Sequence, residues 1–285
     1  MRIMMFIFIL TGFAGLLSCG SGYDAGVRDA LSGLDRMMDD REIIEQRKER
    51  EIERLCELID KAGGIYGKYL AMDSLFDAYR LYNIDSTMYY AYKKEDLALA
   101  SRDSSLIIDA CLDIIRMNAI SGLYVEALDE LSDVDTVGLS EKLLYQYAET
   151  SVSLYESMSE IYASHPKGEY YDRKLEESRR MLISLCDTSD INRLYQEVSL
   201  ALKSSESIAP YIGRLSSRLE KDSSLTVHDK AILSYLLSLS YEKVGNRDKA
   251  LYSMIRSAEY DLSTPVREHK SLYELSAMLY ERGDI

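Results

Sequence analysis

The chain has 285 residues, 47% of them hydrophobic and 29% charged, a balance that buries a core and excludes global disorder. Lys+Arg 34 against Asp+Glu 48 gives a net charge of −14, which repels phosphate backbones and argues against direct nucleic-acid binding by this stretch. With 3 prolines and few β-branched runs there is little material for sheets, so the composition points to an all-α protein.

Residues 1–19 read as an export signal: Arg2, an apolar run from Ile3 to Leu17 too short for a comfortable membrane span, and then Leu16-Leu17-Ser18-Cys19. That ending resembles a bacterial lipobox, in which the Cys is diacylated and becomes the first residue after cleavage. Two acyl chains on Cys19 would tether the protein to a membrane. Losing Arg2 with the signal leaves 33 basic against 48 acidic residues, a charge of −15. Residues 20–26, with Gly20, Ser21, Gly22 and Gly26, form a flexible tether. Cys56, Cys111 and Cys186 are odd in number and unpaired in spacing, so they are expected to pack as small hydrophobes rather than form disulfides.

Residues 27–62 are expected to form one long charged helix, interleaving both signs from Asp39 to Glu51 and leaving only a weak apolar seam of Leu31, Leu34, Met38, Ile52, Leu55 and Ile59. Gly63-Gly64 ends it. Residues 63–285 then break into short helices, beginning with Tyr66 to Tyr82 and Ser86 to Ser101. Tyr69, Met72, Phe76 and Tyr79 share a face of the first; Tyr89, Tyr92 and Leu99 mark the second, with Asp85 as its N-cap. Thr226-Val227-His228-Asp229 is a capping-box pattern before Ile232, Leu233, Leu236 and Leu237. Thr264-Pro265 opens the last helix, Val266 to Glu281. Its Leu272, Leu275, Met278, Leu279 and Tyr280 point in several directions, and the expectation is that nothing in this chain covers them, as in a solenoid cut short at its C-terminus.

Two segments repeat. Gly122-Leu-Tyr124-Val-Glu-Ala127-Leu128 and Gly245-Asn-Arg-Asp-Lys-Ala250-Leu251 share a Gly for a tight turn between antiparallel helices and an Ala where the second helix approaches its neighbour. Leu237 and Tyr241 take the large-residue positions before Gly245, with Ser238 at the small one; Met254 and Ser257 follow on the second helix. Tyr280 to Gly283 repeats the turn entry. On these residues the chain resembles a tetratricopeptide repeat (TPR) protein. The order of the segment Leu31 to Leu58, Asp85-Ser86-Thr87-Met88-Tyr89-Tyr90 and then divergent repeats also resembles a family of Bacteroidetes envelope regulators. The resemblance implies a TPR-like α-solenoid facing the periplasm, as the sensor half of a membrane-anchored TPR/helix-turn-helix transcriptional regulator. In that family a transmembrane helix, a coiled coil and a cytosolic helix-turn-helix domain follow.

No catalytic, metal or cofactor constellation is visible. The only histidines, His165, His228 and His269, lie apart from the cysteines, and there is no Gly-rich phosphate loop or nucleophile elbow. Adjacent carboxylates such as Glu176-Glu177 point apart on a helix and read as solvated. Twenty-three tyrosines with no tryptophan suit a helical groove that holds a protein or peptide segment, or serve as repeat packing. The reading is therefore a non-catalytic protein-binding scaffold tethered in the cell envelope. The alternative is a glycan- or nutrient-binding TPR-type outer-membrane lipoprotein, against which the missing tryptophan counts.

Overall fold

The structure is a computed structural model that describes residues 25–39, 41–265 and 270–283. Among them there are thirteen helices and no strand: α1 Ala25–Asp39, α2 Arg41–Lys61, α3 Gly64–Tyr79, α4 Ile84–Ser101, α5 Ser104–Ile120, α6 Tyr124–Asp133, α7 Glu141–Ile161, α8 Gly168–Leu185, α9 Ile191–Lys203, α10 Ala209–Lys221, α11 Val227–Lys243, α12 Arg247–Leu262 and α13 Lys270–Glu281. From α3 onward sequence neighbours pack as antiparallel pairs, α3/α4, α5/α6, α7/α8 and α11/α12, while α9 and α10 both pack on α11 and α13 packs on α12. Cys19, the rest of the proposed signal, His269 and the start expected for the last helix lie outside the described residues.

Local chemistry sets these boundaries. Asn83, Asp103, Ser140, Asp190, Thr226 and Asn246 each accept a backbone N–H of the first turn that follows. Thr226 and Asp229 complete the expected capping box. The cap of α4 is Asn83, not Asp85, because its carbonyl-bearing side chain reaches Ser86 N at 3.0 Å. Two helix ends close identically. Gly122 (φ 84°) and Gly245 (φ 75°) are left-handed; the next residues, Leu123 and Asn246, each donate back at 2.8 Å, to the Asn118 and Tyr241 carbonyls.

The same two positions organise the packing. Ala127 and Ala250 are fully buried, and the Ser238 hydroxyl donates to the Ala250 carbonyl at 2.8 Å, which only a small residue at each place permits. Ser257 does the same to Ala231 at 2.9 Å. Leu237 and partly buried Tyr241 sit in the core shared by α9, α10 and α11, and Tyr124 sits in that of α5, α6 and α7. Gly283 (φ 76°) repeats the left-handed turn after α13.

Three expectations are corrected. Segment 27–62 is two helices with different partners: α2 buries Ile52 with Leu55, Cys56 and Ile59 against α3, while α1 packs on α12 at the far end of the molecule. On α4 the exposed residues are Tyr89, Tyr92 and Leu99; the buried line is Thr87, Ala91, Lys94 and Ala98, whose small members let α4 settle closely between α3 and α5. The last helix is covered from within the chain, since Leu275 and Leu279 are buried in one cluster with Val27, Ala30 and Leu34 of α1.

Candidate functional site: the inner face of the solenoid

The first helices of the pairs, α3, α5, α7 and α11, lie on one side of the stack with α9 and α13. That side curves inward: Lys270 of α13 reaches Glu160 of α7 at 3.9 Å, bypassing the helices between them, and its ammonium lies 5.7 Å from the Tyr235 ring centre on α11. A cavity of about 530 Å³ opens here, walled by the turn Arg80 to Ile84, the end of α5 at Ala119 and Ile120, Tyr124, Ser153 to Glu160 on α7, and Lys270.

Beneath this face, between first and second helices, runs a largely buried polar network. Lys94 has no solvent exposure and donates to Asp73, Asp109 (3.2 Å) and Asp113. The Tyr69 hydroxyl donates to Asp109 and to the Leu106 carbonyl at 3.2 Å. Burial alone would lower the Lys94 pKa, but Asp113, Asp73 and Asp109 outweigh it and raise it. Asp109 is pushed up by burial and held below the usual carboxylate range by Lys94 and Tyr69; at Asp113 burial wins and the pKa rises. The oxygens of Asp73, Asp109 and Asp113 converge within 4.8 Å, a spacing that could hold a cation, and the Lys94 ammonium already serves as that cation.

Toward the centre the network continues from helix to helix. Gln146 donates to the Asp109 carbonyl and Asp113, Arg116 donates to Glu149 at 2.8 Å, and Arg179 donates to Glu156 at 2.7 Å and to Gln196. Gln196 donates to Asn192, which donates to the Tyr145 hydroxyl at 2.7 Å. Around Tyr235 the field is acidic: burial, then Glu274, Glu156, Glu160 and Glu242 all raise its pKa. Glu242 is itself raised by burial, then by Glu274 and Glu281. Around the cavity the face is therefore charged and tyrosine-bearing. His165 and His228 are exposed, and Cys56, Cys111 and Cys186 are free, with burial pushing the Cys111 and Cys186 thiols up to about 11.

The sequence-named turn and packing residues Gly122, Tyr124, Ala127, Leu237, Tyr241, Gly245, Ala250 and Gly283 build the scaffold; of these only Tyr124 also borders the cavity. Lys94, Asp109, Asp113, Arg116 and Arg179 went unnoticed in the sequence. A signal existed for the first four: Lys94 stands on a line of small residues at three-four spacing, and Asp109, Asp113 and Arg116 share one stripe of an otherwise apolar helix.

A scan against family models matches residues 38–285 to the SusR N-terminal TPR domain. The chain belongs to that family. It is a TPR solenoid resembling the sensor half of SusR-type Bacteroidetes regulators. Neither curated proteins nor solved structures give a match. The TPR assignment accounts for the pairs, the Gly turns and the small residues between helices, and TPR domains generally mediate protein–protein interactions.

Proposed function

We propose that this chain is the sensory, non-catalytic portion of an envelope transcriptional regulator, and that its inner groove holds a protein or peptide segment. The observation that carries the reading is the SusR-type TPR domain over residues 38–285. The groove supports it: Tyr235 and Tyr124 offer rings with hydroxyls, and Ser153, Glu160, Glu242, Glu274 and Lys270 offer hydrogen bonds and charge to a peptide. In the same reading residues 1–19 export the chain and an acylated Cys19 holds it at the periplasmic side of a membrane. None of the described helices is long and apolar enough to cross a membrane.

A photo-crosslinking residue placed at Tyr235 in the groove, with one at exposed Tyr252 as control, tests this in intact cells. The expected result is a discrete protein adduct from position 235 and none from 252. Equal labelling at both positions, or adducts to glycan alone, would count against a peptide groove. Loss of membrane association and of an acyl mass in Cys19→Ala tests the anchor separately.

A further inference from the structure

Helix α1 packs chiefly on α12, near the other end of the chain, rather than on its sequence neighbour α2. Val27, Ala30 and Leu34, with Leu31 and Met37 at the margin, face one cluster formed by Leu251, Met254, Ile255, Ala258 and Leu262 of α12 and Leu275 and Leu279 of α13. The surface beneath it does not depend on it for its place: α12 is fixed on α11 by the Ser238 to Ala250 and Ser257 to Ala231 hydrogen bonds and its own leucines. A helix of 15 residues has little intrinsic stability once undocked.

The seat is also made at a cost. Glu259 is a buried carboxylate under α1, its pKa raised by burial despite Arg256 and Arg36. A Cβ at position 33 would come 2.8 Å from Glu259 Oε1, so α1 carries Gly33 at its centre, where glycine weakens the helix itself. Gly33 lies by Glu259, and Arg41 donates to the Thr264 carbonyl at 3.1 Å; α1 therefore runs parallel to α12. Its beginning lies where α12 begins, beside Asp248 and the end of α13, which Arg282 ties together at 3.2 Å. The chain enters α1 and leaves α13 at one pole.

We propose that α1 is a releasable latch that closes the solenoid end to end and can leave without unfolding the repeats it covers. Its release bares an apolar stripe on α12 and on α13, the helix that also carries Lys270 into the groove, so groove geometry and latch state are linked through one helix.

Hydrogen exchange of the full chain under native conditions tests this, comparing wild type with Leu34→Asp and Glu259→Gln. The latch predicts that α1 amides exchange at least about tenfold faster than those of Leu233 to Ser240, since local opening precedes global unfolding. Leu34→Asp should raise α1 exchange about tenfold further and deprotect Leu275 to Leu279 while leaving α11 unchanged. Glu259→Gln, which removes the buried charge, should slow α1 exchange. Equal protection of α1 and α11 in wild type, or joint loss of α1 and α11 in Leu34→Asp, would show that α1 is an integral core helix and overturn the proposal. Unchanged or faster α1 exchange in Glu259→Gln would overturn the opposing role given to that carboxylate.

Discussion

The α3 to α5 layer and the α11/α12 pair share one antiparallel geometry and seal it with opposite chemistry. Between α3, α4 and α5 the interior holds a fully buried lysine, three carboxylates and a tyrosine hydroxyl that satisfy one another. Between α11 and α12 it holds leucines, alanines and two serines that each spend their hydroxyl on a carbonyl across the interface. The comparison teaches that the repeat constrains volume and approach distance more than polarity. It also teaches where each region is vulnerable: the first through charge, the second through backbone geometry.

The largest break in that comparison comes from Lys94→Met, which strips Asp73 and Asp113 of their Lys94 partner and leaves Asp109 only the exposed Lys142 at 3.6 Å. A loss of about 3 to 5 kcal/mol is expected in denaturant unfolding, as for other uncompensated buried charges. High pH attacks the same place. The fold holds the protons of Lys94 and Tyr69 more tightly than the unfolded chain does, so their contribution is intact below the ordinary values of 10.5 and 10.0 and is lost as pH rises above them. In Lys94→Met the fall in stability above these values should therefore be smaller; an unchanged alkaline fall would contradict the assignment to this site.

Smaller effects belong to the second region. Gly245→Val forces a β-branched residue into φ 75° and should cost about 1 to 3 kcal/mol, read as a lowered Tm. Gly122→Val at φ 84° should match it, since both turns close through the same pair of backbone hydrogen bonds. Ser238→Ala removes one neutral hydrogen bond and should cost only about 1 kcal/mol. A serine effect equal to that of Lys94 would contradict the division between the two regions.

What could be read from the sequence follows the same division. The α11/α12 pair was legible because its Gly, Ala and Ser sit at fixed offsets that reflect turn conformation and close approach, both local properties. The α3 to α5 layer was not, because Lys94 is satisfied by carboxylates on two other helices, and a lone lysine in an amphipathic stretch ordinarily points to solvent. Tyr89, Tyr92 and Leu99 drew attention by size while Ala91 and Ala98 took the buried line, since close helix approach favours small residues over large ones. The docking of α1 on α12 joins residues at opposite ends of the chain, which hydrophobic periodicity alone does not reveal. The groove was legible only as a surplus of tyrosine; its position needed the curvature that brings Lys270 to Glu160.

A double-mutant cycle on Lys94 and Asp113, run beside one on Ser238 and Ser257, tests the central contrast most directly. Lys94→Met and Asp113→Asn should each destabilise the protein, and together should cost less than their sum by about 1 to 3 kcal/mol, because each removes the charge that makes the other costly. The two serines, whose hydrogen bonds share no partner, should add to within about 0.5 kcal/mol. Additive behaviour at Lys94 and Asp113 would contradict the account of a charge-sealed first region.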